Sequence, residues 1–224
     1  MPRLADVSST YSLPWPTVVF DLDGTLADTV DLIVASYQHA FRTVVGHEED
    51  PEVIKSWIGR TLHDAFTEYS PEHAQALIAA YLPWNDANTE RLIRGYDGVR
   101  EVLADLVAAG ARVGVATSKR RSSAQQGMDV LGLSEFVEVL VGMEDTSTHK
   151  PDPAPVLLAV ERLGGTPDQA VYVGDAVVDM LAGQAAGTAT VAVTWGAGHP
   201  EALAVAHPDA VAVDAVQLRK VLLG

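Results

Sequence analysis

The sequence predicts an α/β protein in which a parallel sheet is covered by helices on both faces and a helical segment is inserted after the first strand. Three observations carry this expectation. Short apolar runs rich in β-branched residues recur along the chain, each of strand length. Amphipathic segments of helical period lie between them, the alternation that builds parallel sheets. Residues 28–96 break that alternation and read as helices alone.

Taken in order, the polar lead to Pro16 carries Arg3 and Asp6 and lacks the apolar run of a signal peptide. Residues 17–21 form the first apolar run, closed by the turn residues Asp23, Gly24 and Thr25. Helical periodicity spans about 28–45. In the rest of 28–96, Pro51, Pro71 and Pro83 act as start or stop signals. Gly95-Tyr96-Asp97-Gly98 punctuates the end of this segment. The two connections, near Ala27-Asp28 and at 95–98, are expected hinges. Further strands are expected at 112–116, 137–141, 170–173, 190–193 and 210–213. Helices are expected at 99–109, 122–131, 153–163 and 177–186. The expected organisation is a core domain of residues 1–27 and 97–224 with an α-helical cap domain at 28–96.

Composition narrows the function. The chain has 224 residues, 48% of them hydrophobic, enough for a substantial core. Its 15 Lys and Arg against 30 Asp and Glu give a net charge of -15, which repels nucleic acid and anionic membranes. No run approaches membrane-spanning length. The absence of Cys excludes a disulfide framework, a thiolate metal site and a Cys nucleophile. A cytoplasmic protein is expected.

Four sites at strand ends carry chemistry. Asp21-Leu22-Asp23-Gly24-Thr25 places two carboxylates where the first strand ends, the position at which open α/β sheets bind ligands. One can attack while the other manages a proton. Thr117-Ser118 follows the second core strand, where a hydroxyl and backbone N–H groups suit a phosphate oxygen. Lys150, one of four lysines, is framed by Pro151 and Pro153. Gly174-Asp175 follows the 170–173 strand, and Asp179 lies one helical turn on. Such oxygen ligands suit Mg²⁺. Taken singly, these features also read as a turn, a helix cap, a solvated lysine and a second cap.

Together, in this order, they resemble the haloacid dehalogenase-like superfamily. Phe20-Asp21-Leu22-Asp23-Gly24-Thr25-Leu26 is similar to its first motif. Lys150-Pro151-Asp152-Pro153 and Gly174-Asp175 with Asp179 are similar to its third and fourth. The resemblance covers about 17–223 and implies a Rossmann-like core with a small helical cap. It implies that Asp21 is the nucleophile, forming an aspartyl-phosphate, and that Asp23 is the general acid and then base. By the same resemblance Thr117 and Lys150 hold phosphoryl oxygens, with Gly24 and Ser118 beside the substrate. Mg²⁺ would be held by Asp21, the Asp23 carbonyl and Asp175, with Asp179 behind them or reached through water. Charge alone also argues for a metal, because the clustered carboxylates repel one another.

The resemblance further implies a phosphatase. Dehalogenating members lack the second Asp, phosphonate-cleaving members resemble Asp-x-Ala here, and mutases carry a His where this chain has Ile33. The branch most resembled is that of phosphoglycolate phosphatases, with 58–66 and 183–187 also similar to bacterial inorganic pyrophosphatases. The expected partner is a small phosphorylated metabolite, acted on by a monomer or homodimer. Sugar, nucleotide or secondary-metabolite phosphates are alternatives. Arg60, in the cap loop Ile58-Gly59-Arg60-Thr61, either meets an anionic substrate tail or forms a surface ion pair. Trp195 either shapes the rim or packs. The non-enzymatic alternative is a phospho-receiver module, which also combines an acceptor Asp, an acidic pair, Thr and Lys.

Overall fold

A computed structural model describes residues 13–224, and the residues before them, including most of the polar lead, lie outside the described residues. The chain opens with β1 (Thr17–Phe20) and the short β2 (Ala27–Asp28). Helices α1 (Val30–Val44), α2 (Pro51–Lys55), α3 (Leu62–Tyr69) and α4 (Ala74–Leu92) follow, then β3 (Arg94–Gly95) and α5 (Val99–Ala108). The remainder is β4 (Arg112–Ala116), α6 (Arg121–Val130), β5 (Val139–Val141), α7 (Ala154–Arg162), β6 (Ala170–Gly174), α8 (Val177–Ala186), β7 (Ala189–Val193), α9 (Pro200–Val205), β8 (Ala210–Ala212) and α10 (Ala215–Leu223).

Six strands form one parallel sheet in the order β5-β4-β1-β6-β7-β8. Every residue of β1 and β6 is buried, as a sheet sandwiched between helical layers requires. Strand alternation divides the core in two. Val18, Phe20, Val115 and Val173 pack with Val102, Leu103 and Leu106 of α5 and with Leu218 and Leu222 of α10. Val19, Ala116 and Tyr172 face the other way, onto Val156 and Val160 of α7, Leu163 just past its end, and Ala182 and Ala186 of α8. The chain winds outward from β1 through β4 to β5, then crosses back to β6. The crevice at this reversal lies at the carboxyl ends of β1, β4 and β6, where doubly wound sheets bind ligands.

Helices α1 to α4 have an apolar cluster of their own. Tyr37, Phe41, Trp57, Phe66 and Tyr81 form its aromatic centre, with the Tyr37 and Phe66 rings 4.8 Å apart. Two expectations change here. Pro83 does not start or stop a helix but lies inside α4. An interior proline costs roughly 3 kcal/mol, yet Leu77, Tyr81, Asn85 and Thr89, spaced by four, are all buried on one face of that helix and hold it through the break. The two expected hinges are also not separate linkers. Ala27 pairs with Gly95 and Asp28 with Arg94, so both connections form one antiparallel ladder. Among the described residues no helix is long and apolar enough to cross a membrane.

Candidate active site

Strand β1 delivers Asp21 to the crevice, its N–H held by the carbonyl of Val173 on β6 at 2.8 Å. Gly24 makes the turn that follows. Its φ is +83°, and a Cβ there would lie 2.3 Å from Asp175 Oδ2. The backbone of the first motif therefore lies directly against the carboxylate at the end of β6. Asp175 accepts from Thr25 Oγ1 at 3.2 Å and from the Ala197 N–H at 2.9 Å. Trp195 Nε1 donates to the carbonyl of Thr25 at 3.1 Å, so Trp195 fastens the first motif as well as packing.

Lys150 is not a solvated lysine. Its ammonium is buried and donates to Asp21 Oδ1 at 2.7 Å, Asp179 Oδ1 at 2.6 Å and Tyr172 Oη at 3.2 Å. Asp179 serves two purposes, since its Oδ2 accepts the Ala176 N–H at the start of α8, at 3.0 Å. The N-cap of α8 is Ala176 rather than an Asp, and Asp179 at the third helical position bonds back to it while its other oxygen meets Lys150.

Asp23 is set apart. Its carboxylate faces Lys119, whose ammonium lies 3.1 and 3.3 Å from its two oxygens. Sequence reasoning missed Lys119, although its place two residues after Thr117 at a strand end was a usable signal. Thr117 lines the same cavity, but its N–H completes the sheet by donating to Val141 O at 3.0 Å. The expectation of free N–H donors therefore does not hold at Thr117. Its hydroxyl accepts from Lys119 N at 3.2 Å. Nor is Thr117-Ser118 a helix cap, because α6 begins only at Arg121. Ser118 Oγ donates to the carbonyl of Gly59 at 2.8 Å and so ties the core to the loop of the helical insertion. Arg60, on that loop, lines the cavity while pairing with Glu68, so its surface ion pair and its position over the site coexist.

A cavity of about 50 Å³ lies between this crevice and the insertion, with Asp23, Lys119, Arg60, Tyr81 and Asn85 among its walls. A second tie closes it. Asp86 of α4 accepts from Arg120 at 2.9 Å and from Ser123 Oγ at 2.7 Å.

The electrostatics follow from burial. Four carboxylates, Asp21, Asp23, Asp175 and Asp179, face two ammonium groups, Lys119 and Lys150. Fully ionised, that group carries two uncompensated negative charges. Burial pushes the Asp21 carboxyl well above its ordinary value. Lys150 opposes the shift without reversing it, because Asp179 shares its charge. Burial, with Asp179 adding, raises Asp175 from 3.8 to about 7. Burial works against the Lys150 ammonium, but Asp179 and Asp21 outweigh it and hold that group well above its ordinary value. Oxygens of Asp21, Asp175 and Asp179 all lie within 4.8 Å of one another. This all-oxygen, charge-deficient set fits a divalent cation. Asp179, expected behind the ligands, stands among the converging carboxylates, whereas the Asp23 side chain turns away to Lys119.

A family model for haloacid dehalogenase-like hydrolases matches residues 18–193. The chain is similar to the pyrophosphatase PpaX of Bacillus pumilus, at 39% identity over 193 residues that cover 86% of this chain and 89% of that protein. It is also similar to the pyrophosphatase PpaX of Bacillus velezensis, at 36% over 192 residues, covering 86% and 89%. A crystal structure of a hydrolase from Pseudomonas syringae superposes with a TM-score of 0.83 at 26% identity, over 92% of this chain and 97% of that one. These matches span both the sheet and the inserted helices, which sets the receiver alternative aside. With its four motifs gathered at one switch point, the chain belongs to the haloacid dehalogenase-like hydrolases.

Proposed function

We propose that the protein is a Mg²⁺-dependent phosphohydrolase that works through an aspartyl-phosphate on Asp21. The observation that carries this reading is the division of the acidic residues. Both line the cavity, but Asp21 joins the carboxylate cluster and is held by Lys150, whereas Asp23 stands outside that cluster and is paired with Lys119. An Asp21 oxygen attacks phosphorus, and the bond from phosphorus to the leaving oxygen breaks. Asp23 gives that oxygen its proton. Water then attacks the aspartyl-phosphate while Asp23 takes the proton back, releasing phosphate and restoring Asp21. Lys150 and Thr117 hold the phosphoryl oxygens, with Gly24 and Ser118 at the edge of the bound group. Mg²⁺ would be held by Asp21, Asp175 and the Asp23 carbonyl with Asp179 in support, and would supply positive charge to the phosphoryl group. Residues 28–96 act as the cap that excludes water and selects the leaving group.

Pyrophosphate is the first candidate substrate. The PpaX relatives support it, as do the small cavity and its two cations, Arg60 and Lys119, which suit a compact anionic leaving group. A phosphoglycolate-like monoester has the same charge logic and is the second candidate. The test is phosphate release with Mg²⁺ from pyrophosphate, phosphoglycolate, sugar phosphates and nucleoside monophosphates. Pyrophosphate should stand far above the others. A preference for phosphoglycolate would reverse the order of candidates, and no release from any phosphate would overturn the reading.

A further inference from the structure

We infer that Tyr172 is a positioning residue, whose hydroxyl fixes the Lys150 ammonium for phosphoryl binding. This rests on the role given to Lys150 above. Tyr172 sits in the middle of β6, three residues before Asp175, in a strand that is buried throughout. A purely apolar residue would fill that position. Instead its hydroxyl donates to the Ala116 carbonyl at 2.9 Å, accepts from Lys150 Nζ at 3.2 Å and lies 3.3 Å from Asp179 Oδ1. One oxygen thereby joins three elements: the end of β4 just before Thr117, the lysine loop, and α8 through Asp179.

An ammonium has three N–H donors and no acceptor. In Lys150 those donors meet Asp21, Asp179 and Tyr172, so the buried group is fully partnered. Two of those partners are carboxylates needed elsewhere, Asp21 as the attacking group and Asp179 beside the metal set. Tyr172 is the neutral one, and its own proton is committed to Ala116. It can hold the ammonium in place while the carboxylates change partners. A flexible lysine stem has no other restraint of this kind at its tip. The Tyr172 ring also lies 5.8 Å from Nζ, which limits sideways movement. Removing the hydroxyl leaves a donor of Lys150 and the Ala116 carbonyl unpartnered in a dry interior.

The test uses the full chain with Mg²⁺ and orthovanadate, an anion that takes up the five-coordinate geometry of the phosphoryl-transfer transition state, titrated calorimetrically into the wild type, Tyr172→Phe, Lys150→Ala and the double variant. Lys150→Ala should weaken vanadate strongly and Tyr172→Phe by roughly tenfold. In the Lys150→Ala background Tyr172→Phe should change affinity by less than about twofold. Turnover of Tyr172→Phe should fall through kcat with KM little moved. Equal losses from Tyr172→Phe in both backgrounds, or no loss in either, would overturn the positioning role while leaving that of Lys150 intact. Wild-type affinity in Lys150→Ala would overturn both. A measurement on the wild type covers the case in which Tyr172→Phe fails to fold. In protein labelled with ¹⁵N-lysine, the fully partnered Lys150 ammonium should give a slowly exchanging signal, and its absence would overturn the inference.

Discussion

Asp175 makes the stability of the metal-free protein depend on pH in a direction opposite to that of the lowered carboxylates at its surface. Its pKa is raised from 3.8 to about 7 by burial and by Asp179. A raised folded-state value means that folding takes up a proton. The stabilisation is full below the unfolded value and is lost as pH climbs through the folded one. Between about pH 5.5 and about pH 8 these two values give a loss of about 2 kcal/mol from Asp175 alone. Asp21 is shifted the same way and adds to it. The lowered carboxylates, Glu49, Glu72, Asp129 and Asp145, have given their full contribution by the start of this window. Lys150 stays charged throughout it. For a chain of this size, 2 kcal/mol corresponds to a fall in Tm of roughly 4–8 °C. A divalent cation on the cluster replaces the proton as the neutralising charge, so Mg²⁺ should raise Tm more at the alkaline end than at the acid end. Scanning calorimetry in chelator and in excess Mg²⁺, at both ends of the window, measures this directly. A chelated protein whose Tm is flat or rises with pH, or a Mg²⁺ gain equal at both ends, would refute the reasoning.

Asp21→Asn keeps side-chain volume and should abolish turnover while leaving Tm near or above that of the chelated wild type. Substantial residual hydrolysis in a phosphate-release assay would remove Asp21 from its proposed role. Arg60→Ala should raise KM several-fold for substrates whose leaving group is anionic, and much less for neutral ones. An equal rise for both classes would leave Arg60 only its pair with Glu68. Gly24→Ala meets both a φ of +83° and an oxygen of Asp175 at 2.3 Å, so at least about 2 kcal/mol of stability and most Mg²⁺ affinity should be lost. Unchanged melting and metal titration would show that the turn relaxes freely.

Much of the architecture was legible because the strands are short apolar runs closed by chemistry. Asp21, Thr117 and Asp175 each follow such a run, and a parallel sheet brings those ends together whatever the intervening helices do. Pro83 misled because a local rule was overridden by Leu77, Tyr81, Asn85 and Thr89, whose shared burial is a property of packing. The β2 and β3 pair was invisible, since two residues on each side cannot display a period. Tyr172 looked like any aromatic strand residue. Only the depth at which its hydroxyl ends, beside a lysine that folding brings from another loop, gives it a role. Lys119 and Lys150 could not be told apart by composition, and their different carboxylate partners emerge only in three dimensions.

The small ladder that joins Ala27 to Gly95 and Asp28 to Arg94 bears on how the chain reaches its fold. Strand β1 must find β4 across the whole stretch between Phe20 and Arg112, a distant pairing of the kind that slows folding. The inserted helices make their contacts largely among themselves and can form early. Once they do, the ladder brings the two ends of the insertion side by side. For the searching strands, the loop to be closed then shrinks from about 91 residues to about two dozen, α5 among them, which lowers the closure cost by about 1 kcal/mol. The insertion thus serves as a folding shortcut for the sheet it interrupts.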